Sequence, residues 1–156
     1  MACLILVLQW HHAHPLFGMQ DYKKIKAWAK GHALKLNIHQ LLRRFPREYS
    51  SLKGQLRRAA ESVPTNIVEG AAFDSNKQFA VYVQSSISSA NEVEYHLITA
   101  RDYGLISQRV YSALVSDTIE VRKMLIGFKK RLQEPEDEDE QDENVDDAPK
   151  PEELNE

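Results

Sequence analysis

The chain of 156 residues has a single cysteine, Cys3, so an internal disulfide and a multi-cysteine metal site are both excluded. Such cysteine usage is typical of a reducing compartment, and we expect a cytoplasmic location. The apolar run at the N-terminus, MACLILVLQW, covers only about ten residues, which is too short to span a bilayer, and it lacks the features of a secretory signal. Alternating strand-like patterns are scarce, which argues against a β-rich fold.

Charge is distributed unevenly along the chain. Residues 22–132 contain 19 Lys and Arg against nine Asp and Glu, whereas residues 133–156 contain 13 acidic residues and one lysine. A segment with so few apolar residues and so much like charge cannot offset the entropy cost of ordering, so we predict a disordered acidic tail over 133–156. Two roles are open for this tail: it solubilises the chain, or it folds back on the basic body and competes with phosphate groups.

Helical patterning begins at Asp21. We therefore predict that residues 1–20 are a disordered extension or a mis-assigned start, with Met19 as the alternative first residue. The extension contains the histidines of HHAHP, which are His11, His12 and His14. No carboxylate or cysteine is placed to complete a metal shell around them, so we predict no metal site there. The remaining residues, 21–132, suit one domain with a sizeable core.

Apolar residues recur at helical spacing in four segments, at about 21–45, 51–71, 75–103 and 108–132. Connections of roughly three to six residues make consecutive helices antiparallel neighbours. The predicted fold is therefore all-α, an antiparallel up-down-up-down four-helix bundle followed by the acidic tail. The residues expected to face the core from segment one are Ile25, Trp28, Ala29, His32, Leu36 and His39.

Core stripes are also predicted for the other three segments. They comprise Leu52, Leu56, Ala59, Ala60, Val63, Ile67 and Ala71 in segment two, Phe79, Val83, Ile87, Ala90 and Leu97 in segment three, and Val110, Leu114, Val121, Leu125, Phe128 and Leu132 in segment four. Segment four has a second stripe, which indicates a contact with another subunit or a wide face within one bundle. This second stripe consists of Tyr111, Val115, Ile119, Arg122 and Ile126.

Segment two contains a proline, Pro64, in the middle of its helical pattern. An interior proline costs a helix roughly 3 kcal/mol, so we expect neighbouring helices to support it. Segment three contains the serine-rich stretch QSSISSAN, which is either a surface for close helix approach or a face toward water. A polar line in segment two shares one helix face, and we expect it to form a structural network at the proline or at a subunit seam. Its members are Arg58, Ser62, Asn66 and Glu69.

No motif for catalysis is present. The sequence has no Gly-rich phosphate loop, HExxH pattern or nucleophile elbow. We expect His32 and His96 to make hydrogen bonds between helices, and Glu92 with His96 is only a weak candidate for a metal pair. The sequence therefore predicts no enzyme activity, no catalytic residues and no cofactor.

Basic residues of segments one and four are candidates for neutralising the phosphates of RNA or DNA. No aromatic stacking platform or recognition helix accompanies them, so sequence-specific reading is not expected. The alternatives are lysines that only solubilise the helices, and a scaffold that binds another protein. The candidate residues are Lys23, Lys24, Lys26, Lys30, Lys35, Arg43, Arg44, Arg47, Lys123, Lys129, Lys130 and Arg131.

Three stretches carry a family resemblance: KIKAWAKGHALKL, FPREYSSLKGQLRRAAESVPTNIVEG and NEVEYHLITARDYGLIS. They resemble the four-helix bundle proteins encoded in intervening sequences of 23S ribosomal RNA genes, which are related to the accessory variability determinants of diversity-generating retroelements. The resemblance covers about 22–132 and implies an up-down bundle, assembly as a ring-like homopentamer, no catalytic activity and a nucleic-acid role. Relatives usually carry a glycine and a basic residue where this chain has Ala72 and Phe73, so a phosphate contact at that basic position is not carried over.

Overall fold

The computed structural model describes residues 20–134, and this part of the chain is helical without a strand. Four long helices are present: α1 is Lys26–Leu42, α2 is Ser50–Gly70, α3 is Asn76–Asp102 and α4 is Gln108–Gln133. Two short 3-10 turns, Tyr22–Lys24 and Arg47–Tyr49, precede α1 and α2. The prediction of an all-α four-helix bundle is confirmed. The predicted extension (1–19) and nearly all of the predicted tail (135–156) lie outside the described residues.

Each helix packs against its neighbours in the chain, and α1 also packs against α4, which closes the bundle. Because consecutive helices are antiparallel, the start of α1, the α2–α3 connection and the end of α4 lie at one end of the bundle. The α1–α2 and α3–α4 connections lie at the other end. The first and last described residues are therefore at the same end. None of the described helices is long and apolar enough to cross a membrane.

The predicted core stripes of α2 and α3 are confirmed, because every residue named for them is buried. On α4 the stripe is also directed inward, with Leu114, Val121, Leu125 and Leu132 buried and the remaining two partly buried against the core. Two serine hydroxyls cap helix starts. That of Ser75 accepts a hydrogen bond from the amide of Gln78 at the start of α3, and that of Ser107 accepts one from the amide of Val110 at the start of α4, each at 3.4 Å.

The predicted inward face of α1 is wrong. The residues buried on this helix are Ala27, Gly31, Leu34, Ile38 and Leu42. Trp28 and His32 are only partly buried, and Leu36 is 47% exposed. The inward face includes an alanine and a glycine, because small residues allow α1 to approach the rest of the bundle closely. The larger apolar residues of α1 are left on its outer side.

The close approach of α1 explains how the bundle accommodates Pro64. The α2 helix continues through this buried proline. A Cβ atom added at Gly31 would lie 3.0 Å from Cγ1 of Val63 and 3.9 Å from the nitrogen of Pro64, so a larger residue would push α1 away. On the opposite side, the hydroxyl of Ser86 in α3 donates to the carbonyl oxygen of Val63 at 2.7 Å. The residue before the proline is thus held by two neighbouring helices.

The serine-rich stretch of α3 has serines that are buried in the bundle and serines that are exposed to solvent. Ser86 and Ser89 are buried against α2, whereas Ser85 and Ser88 are exposed. The close-approach interpretation therefore holds for one pair and the water-facing interpretation for the other. The second stripe of α4 is mostly half-buried alongside α3, where the guanidinium of Arg122 donates to the side chains of Asn91 and Glu94.

Candidate nucleic-acid interface

The predicted basic residues collect at the two ends of the bundle. At one end, which we call the arginine end, the chain leaves α1 through Arg43 and Arg44 and reaches Arg47 in the following 3-10 turn. All three are exposed. A groove of about 370 Å³ between α1 and α4 brings Arg44 close to Arg109 at the start of α4. Sequence analysis did not include Arg109, because only the antiparallel packing of α4 on α1 places it beside this cluster.

The opposite end, which we call the lysine end, combines the start of α1 with the end of α4. A groove of about 670 Å³ lies between these two helices, lined by the cationic side chains of Lys24, Lys26 and Arg131. Met124 and Phe128 contribute apolar surface to the same groove. The other basic residues at this end are Lys23, Lys129 and Lys130.

Three predicted residues lie between the two ends. Lys30 donates to a carboxylate oxygen of Glu120 on α4 at 2.8 Å, and this hydrogen bond raises the pKa of Lys30. Lys35 lines a groove between α1 and α2 that also contains Glu61. Lys123 is exposed on α4. The middle of the bundle is therefore less positive than its ends, because acidic side chains are interspersed there.

Most of the twelve candidates lack an acidic partner. Ten of them are exposed and two are half-buried. Within residues 20–134, only two of the twelve form ion pairs: Lys24 with Asp21 at 3.9 Å, and Lys30 with Glu120 at 2.8 Å. Lys129 instead donates to the amide oxygen of Gln84 at 2.8 Å, which leaves its charge unneutralised. The two ends therefore carry positive charge that is available to an anion.

The polar line of α2 forms hydrogen bonds to side chains only in its middle, among the residues that the structure describes. In its middle, the amide of Asn66 donates to the hydroxyl and carbonyl oxygens of Ser62 at 2.9 and 2.8 Å. The hydroxyl of Ser89 on α3 donates to that of Ser62 at 3.0 Å, so the middle of the line joins α2 to α3. Arg58 and Glu69 are exposed, and neither side chain takes part in the hydrogen bonds or ion pairs found among residues 20–134.

The structure contains aromatic surface that sequence analysis did not anticipate. On the outer side of α1, the rings of Tyr22 and Trp28 are 5.1 Å apart in an edge arrangement, and Trp28 stacks on His32 at 5.3 Å. The spacing of four residues between Trp28 and His32 fits one helix face, but sequence analysis assigned that face to the core and did not single out Tyr22. Tyr95 and Tyr103, at the other end of the bundle, are 64% and 59% exposed.

Three histidines lie within residues 20–134: His32, His39 and His96. Within residues 20–134, no group of three or more histidine, cysteine and acidic residues is placed to hold a metal ion. His96 lies beside Tyr95, with ring centroids 5.3 Å apart. Burial lowers the pKa of His96, and the charge of Arg58 lowers it further against the opposing effect of Glu92. His96 is consequently neutral at pH 7 and can offer one donor and one acceptor.

Comparisons with known proteins agree with this architecture. No curated protein sequence matches the chain. A crystal structure of a protein of unknown function from the S23 ribosomal protein family of Bacteroides thetaiotaomicron VPI-5482 has the same fold, with a TM-score of 0.63 at 24% identity, over 67% of this chain and 95% of that one. The model of the 23S rRNA-intervening sequence protein family matches residues 23–127. This match spans α1, α2, α3 and most of α4, and the chain therefore belongs to the 23S rRNA-intervening sequence protein family.

Proposed function

We propose that this chain is a non-enzymatic, oligomeric four-helix bundle of the cytoplasm that binds nucleic acid, RNA in preference to DNA, through its basic surface. The observation that supports the proposal is the concentration of exposed cationic side chains at the arginine end and the lysine end, most of them without an acidic partner among residues 20–134. Phosphate groups supply the missing negative charge. Each phosphate that is neutralised releases counterions, which makes the affinity depend steeply on salt.

The spacing of the two ends suits an extended polyanion. The 17 residues of α1 separate them, which corresponds to about 25 Å at a rise of 1.5 Å per residue. That distance equals about seven base pairs of duplex at 3.4 Å each. One strand or duplex can therefore contact both ends of the same bundle, without any reading of its sequence.

Oligomerisation is part of the proposal, and the homopentamer implied by the family resemblance is the expected form. Exposed apolar residues on three helices support a further protein contact: Leu36 on α1, Val81 on α3 and Ile126 on α4 are 47%, 63% and 53% exposed. A ring would repeat the two basic ends and so multiply phosphate contacts. Light scattering coupled to gel filtration tests this, with a mass about five times the 17.9 kDa of one chain as the expected result.

A second function is favoured by the aromatic row of Tyr22, Trp28 and His32 together with the exposed Leu36. Half-buried aromatic side chains beside an exposed leucine provide apolar surface of the kind found at protein contacts. In this alternative the bundle is an adaptor or scaffold for another protein and does not bind nucleic acid directly. Copurification of one stoichiometric protein after nuclease treatment, without RNA retention by the purified chain, would favour this second function.

The principal experiment measures binding of a fluorescent structured RNA to the full chain across a salt series. We expect tight binding at low salt that weakens steeply as salt is raised. Two triple variants locate the contacts: Arg43→Gln with Arg44→Gln and Arg47→Gln, and Lys129→Gln with Lys130→Gln and Arg131→Gln. On single strands each contact contributes about 0.7 to the slope of log K against log salt, so each triple variant should lower the slope by about 2.

The control for net charge is the triple variant Lys30→Gln, Lys35→Gln and Lys123→Gln, which removes the same charge from the middle of the bundle, between the two ends. At 0.1 M salt the Debye length is about 10 Å, so distant charges should change the slope little. An equal decrease in slope with the control would contradict localised binding at the ends. Absence of RNA binding by the full chain and by a chain ending at Glu134 would remove the proposal and favour the adaptor.

A further inference from the structure

A cleft on the α2–α3 side of the bundle lies next to the arginine end. It is enclosed by the start of α2, the preceding 3-10 turn and the last turns of α3, and its volume is about 330 Å³. Volumes of this size are typical of small-molecule sites. We call it the tyrosine cleft, because three of its side chains are tyrosines: Tyr49, Tyr95 and Tyr103.

Two of the three tyrosines in the cleft are largely exposed to solvent. Tyr95 is 64% exposed and Tyr103 is 59% exposed, so most of the surface of these two side chains contacts solvent. Tyr103 is 5.8 Å from Tyr49 between ring centroids, and Tyr95 is 5.3 Å from His96. These pairs hold two aromatic surfaces near the mouth of the cleft. Such surfaces are suited to a flat aromatic ligand.

The polar groups around the rings complement the edge and the phosphate of a nucleotide. His96, neutral at pH 7, and the side chain of Gln55 each provide a donor and an acceptor. Glu48 is an acceptor for exocyclic amino groups. Arg58 is close enough to His96 for its charge to act on it, and it forms no ion pair within residues 20–134. It is therefore available to a phosphate group.

The position of the cleft links it to the basic surface. Arg47 of the arginine end directly precedes Glu48, which lines the cleft. The start of α2 also lies here, and no side chain caps its first backbone amide groups. A strand whose phosphates contact the arginine end can consequently direct a neighbouring base into the cleft.

From these observations we infer that the tyrosine cleft binds an unpaired nucleobase of an RNA strand, which stacks on Tyr95 or Tyr103 while its phosphate contacts Arg58. This inference rests on the proposed nucleic-acid function and deepens it, because it specifies single-stranded or bulged RNA. A base within a duplex is stacked on its neighbours and cannot enter such a cleft without being unpaired. Unpaired bases commonly stack on aromatic side chains in sites that do not read sequence.

The test compares the full chain with the variants Tyr95→Leu and Tyr103→Leu. Leucine keeps apolar bulk and removes the aromatic face, and both positions are more than half exposed, so the fold should persist. The probes are a single-stranded RNA of about 12 nucleotides with one 2-aminopurine and a duplex of equal length. The expected result for the wild-type chain is a preference for the single strand and quenching of 2-aminopurine on binding. Each variant should weaken single-strand binding about 5- to 100-fold.

Three further measurements make the result specific. The salt slope should stay unchanged in both tyrosine variants, because they remove no charge, whereas Arg58→Gln should lower it by about 0.7. The control Tyr82→Leu alters a half-buried tyrosine of α3 that lies outside the cleft, and it should bind like the wild-type chain. The mass in solution should be the same for all variants. A changed mass would overturn the inference by showing that these tyrosines contact another subunit.

The failures of the two proposals are distinguishable. Steep, salt-dependent binding by the wild-type chain with no effect of either tyrosine variant and no quenching would overturn the cleft alone. Absence of binding to both RNA probes at low salt would overturn the nucleic-acid function, and the cleft assignment with it. Retention of a peptide partner that is lost in Tyr95→Leu, without RNA binding, would identify the cleft as a protein site and would also overturn the inference.

Discussion

Replacing Ser86 by alanine should destabilise the bundle, whereas the same replacement at the adjacent Ser85 should not. Ser86 is fully buried and its hydroxyl donates to the carbonyl oxygen of Val63 at 2.7 Å, across the α2–α3 contact. Ser85 is exposed, and its hydroxyl contacts only the carbonyl oxygen of Val81 on its own helix, at 3.4 Å. The two positions thus share a residue type and a helix but differ in the interhelical hydrogen bond.

The magnitude follows from two terms. An intramolecular hydrogen bond contributes about 1 kcal/mol net, and alanine improves helix propensity over serine by about 0.5 kcal/mol at either position. Ser86→Ala should therefore lower the free energy of unfolding by about 0.5 to 1 kcal/mol. Ser85→Ala should raise it by a few tenths of a kcal/mol. The difference between the variants, about 1 to 1.5 kcal/mol, cancels the propensity term and isolates the bond beside Pro64.

Urea unfolding followed by circular dichroism measures this difference, with the wild-type chain and both variants analysed under identical conditions. The slope of the unfolding free energy against urea should be the same for all three, because the fold and the area exposed are unchanged. Equal midpoints for Ser85→Ala and Ser86→Ala would refute the reasoning. In that case the support of the proline would have to come from the contact of α1 at Gly31 instead.

Three other predictions concern a steric contact, a titration and the size of the ligand. A Cβ atom at Gly70 would overlap the ring of Phe79 and lie 2.8 Å from Cβ of Tyr82, so Gly70→Ala should cost at least about 2 kcal/mol in urea unfolding. Burial lowers the pKa of His96, so the unfolded chain binds more protons than the folded chain. The free energy of unfolding should therefore decrease as the pH drops below about 6.5, and His96→Gln should remove the contribution of this residue to that decrease. The affinity for duplex RNA should rise with duplex length until about seven or eight base pairs, when both basic ends are in contact. Titration of a length series by fluorescence anisotropy measures this dependence, and a plateau at a different length would indicate that only one end binds.

The sequence was sufficient for the fold and for most of the core, and α1 shows why it was not sufficient everywhere. In α2, α3 and α4 most of the large apolar residues occupy one face, so periodicity identifies the inward side. In α1 the inward face includes Ala27 and Gly31, whose small side chains contribute little hydrophobicity, and the bulky Trp28 and Leu36 lie on the outer side. Close packing of α1 requires small side chains on this face, and a pattern based on hydrophobicity alone does not report the size of a side chain.

The candidate site was predictable in composition but not in arrangement. Lysine and arginine counts identified the basic body, yet the division into two ends and the addition of Arg109 depend on which helices are neighbours. The exposed rings of Tyr95 and Tyr103 could not be separated from core aromatics by spacing, because aromatic residues in helices are usually buried. The partial neutralisation of the middle of α1 likewise required the pairing of Lys30 with Glu120 on α4.

The even number of helices has a practical and a physical consequence. Both described chain ends emerge beside the lysine end, so the segments that continue the chain on either side of residues 20–134 are both attached at that end of the bundle. The arginine end and the tyrosine cleft lie at the far end, about 25 Å away along the helix axes. The residues that follow α4 in the sequence are strongly acidic, and they join the bundle at the lysine end. The bundle therefore has a direction, because its two connections to the rest of the chain share one end and the tyrosine cleft lies towards the other.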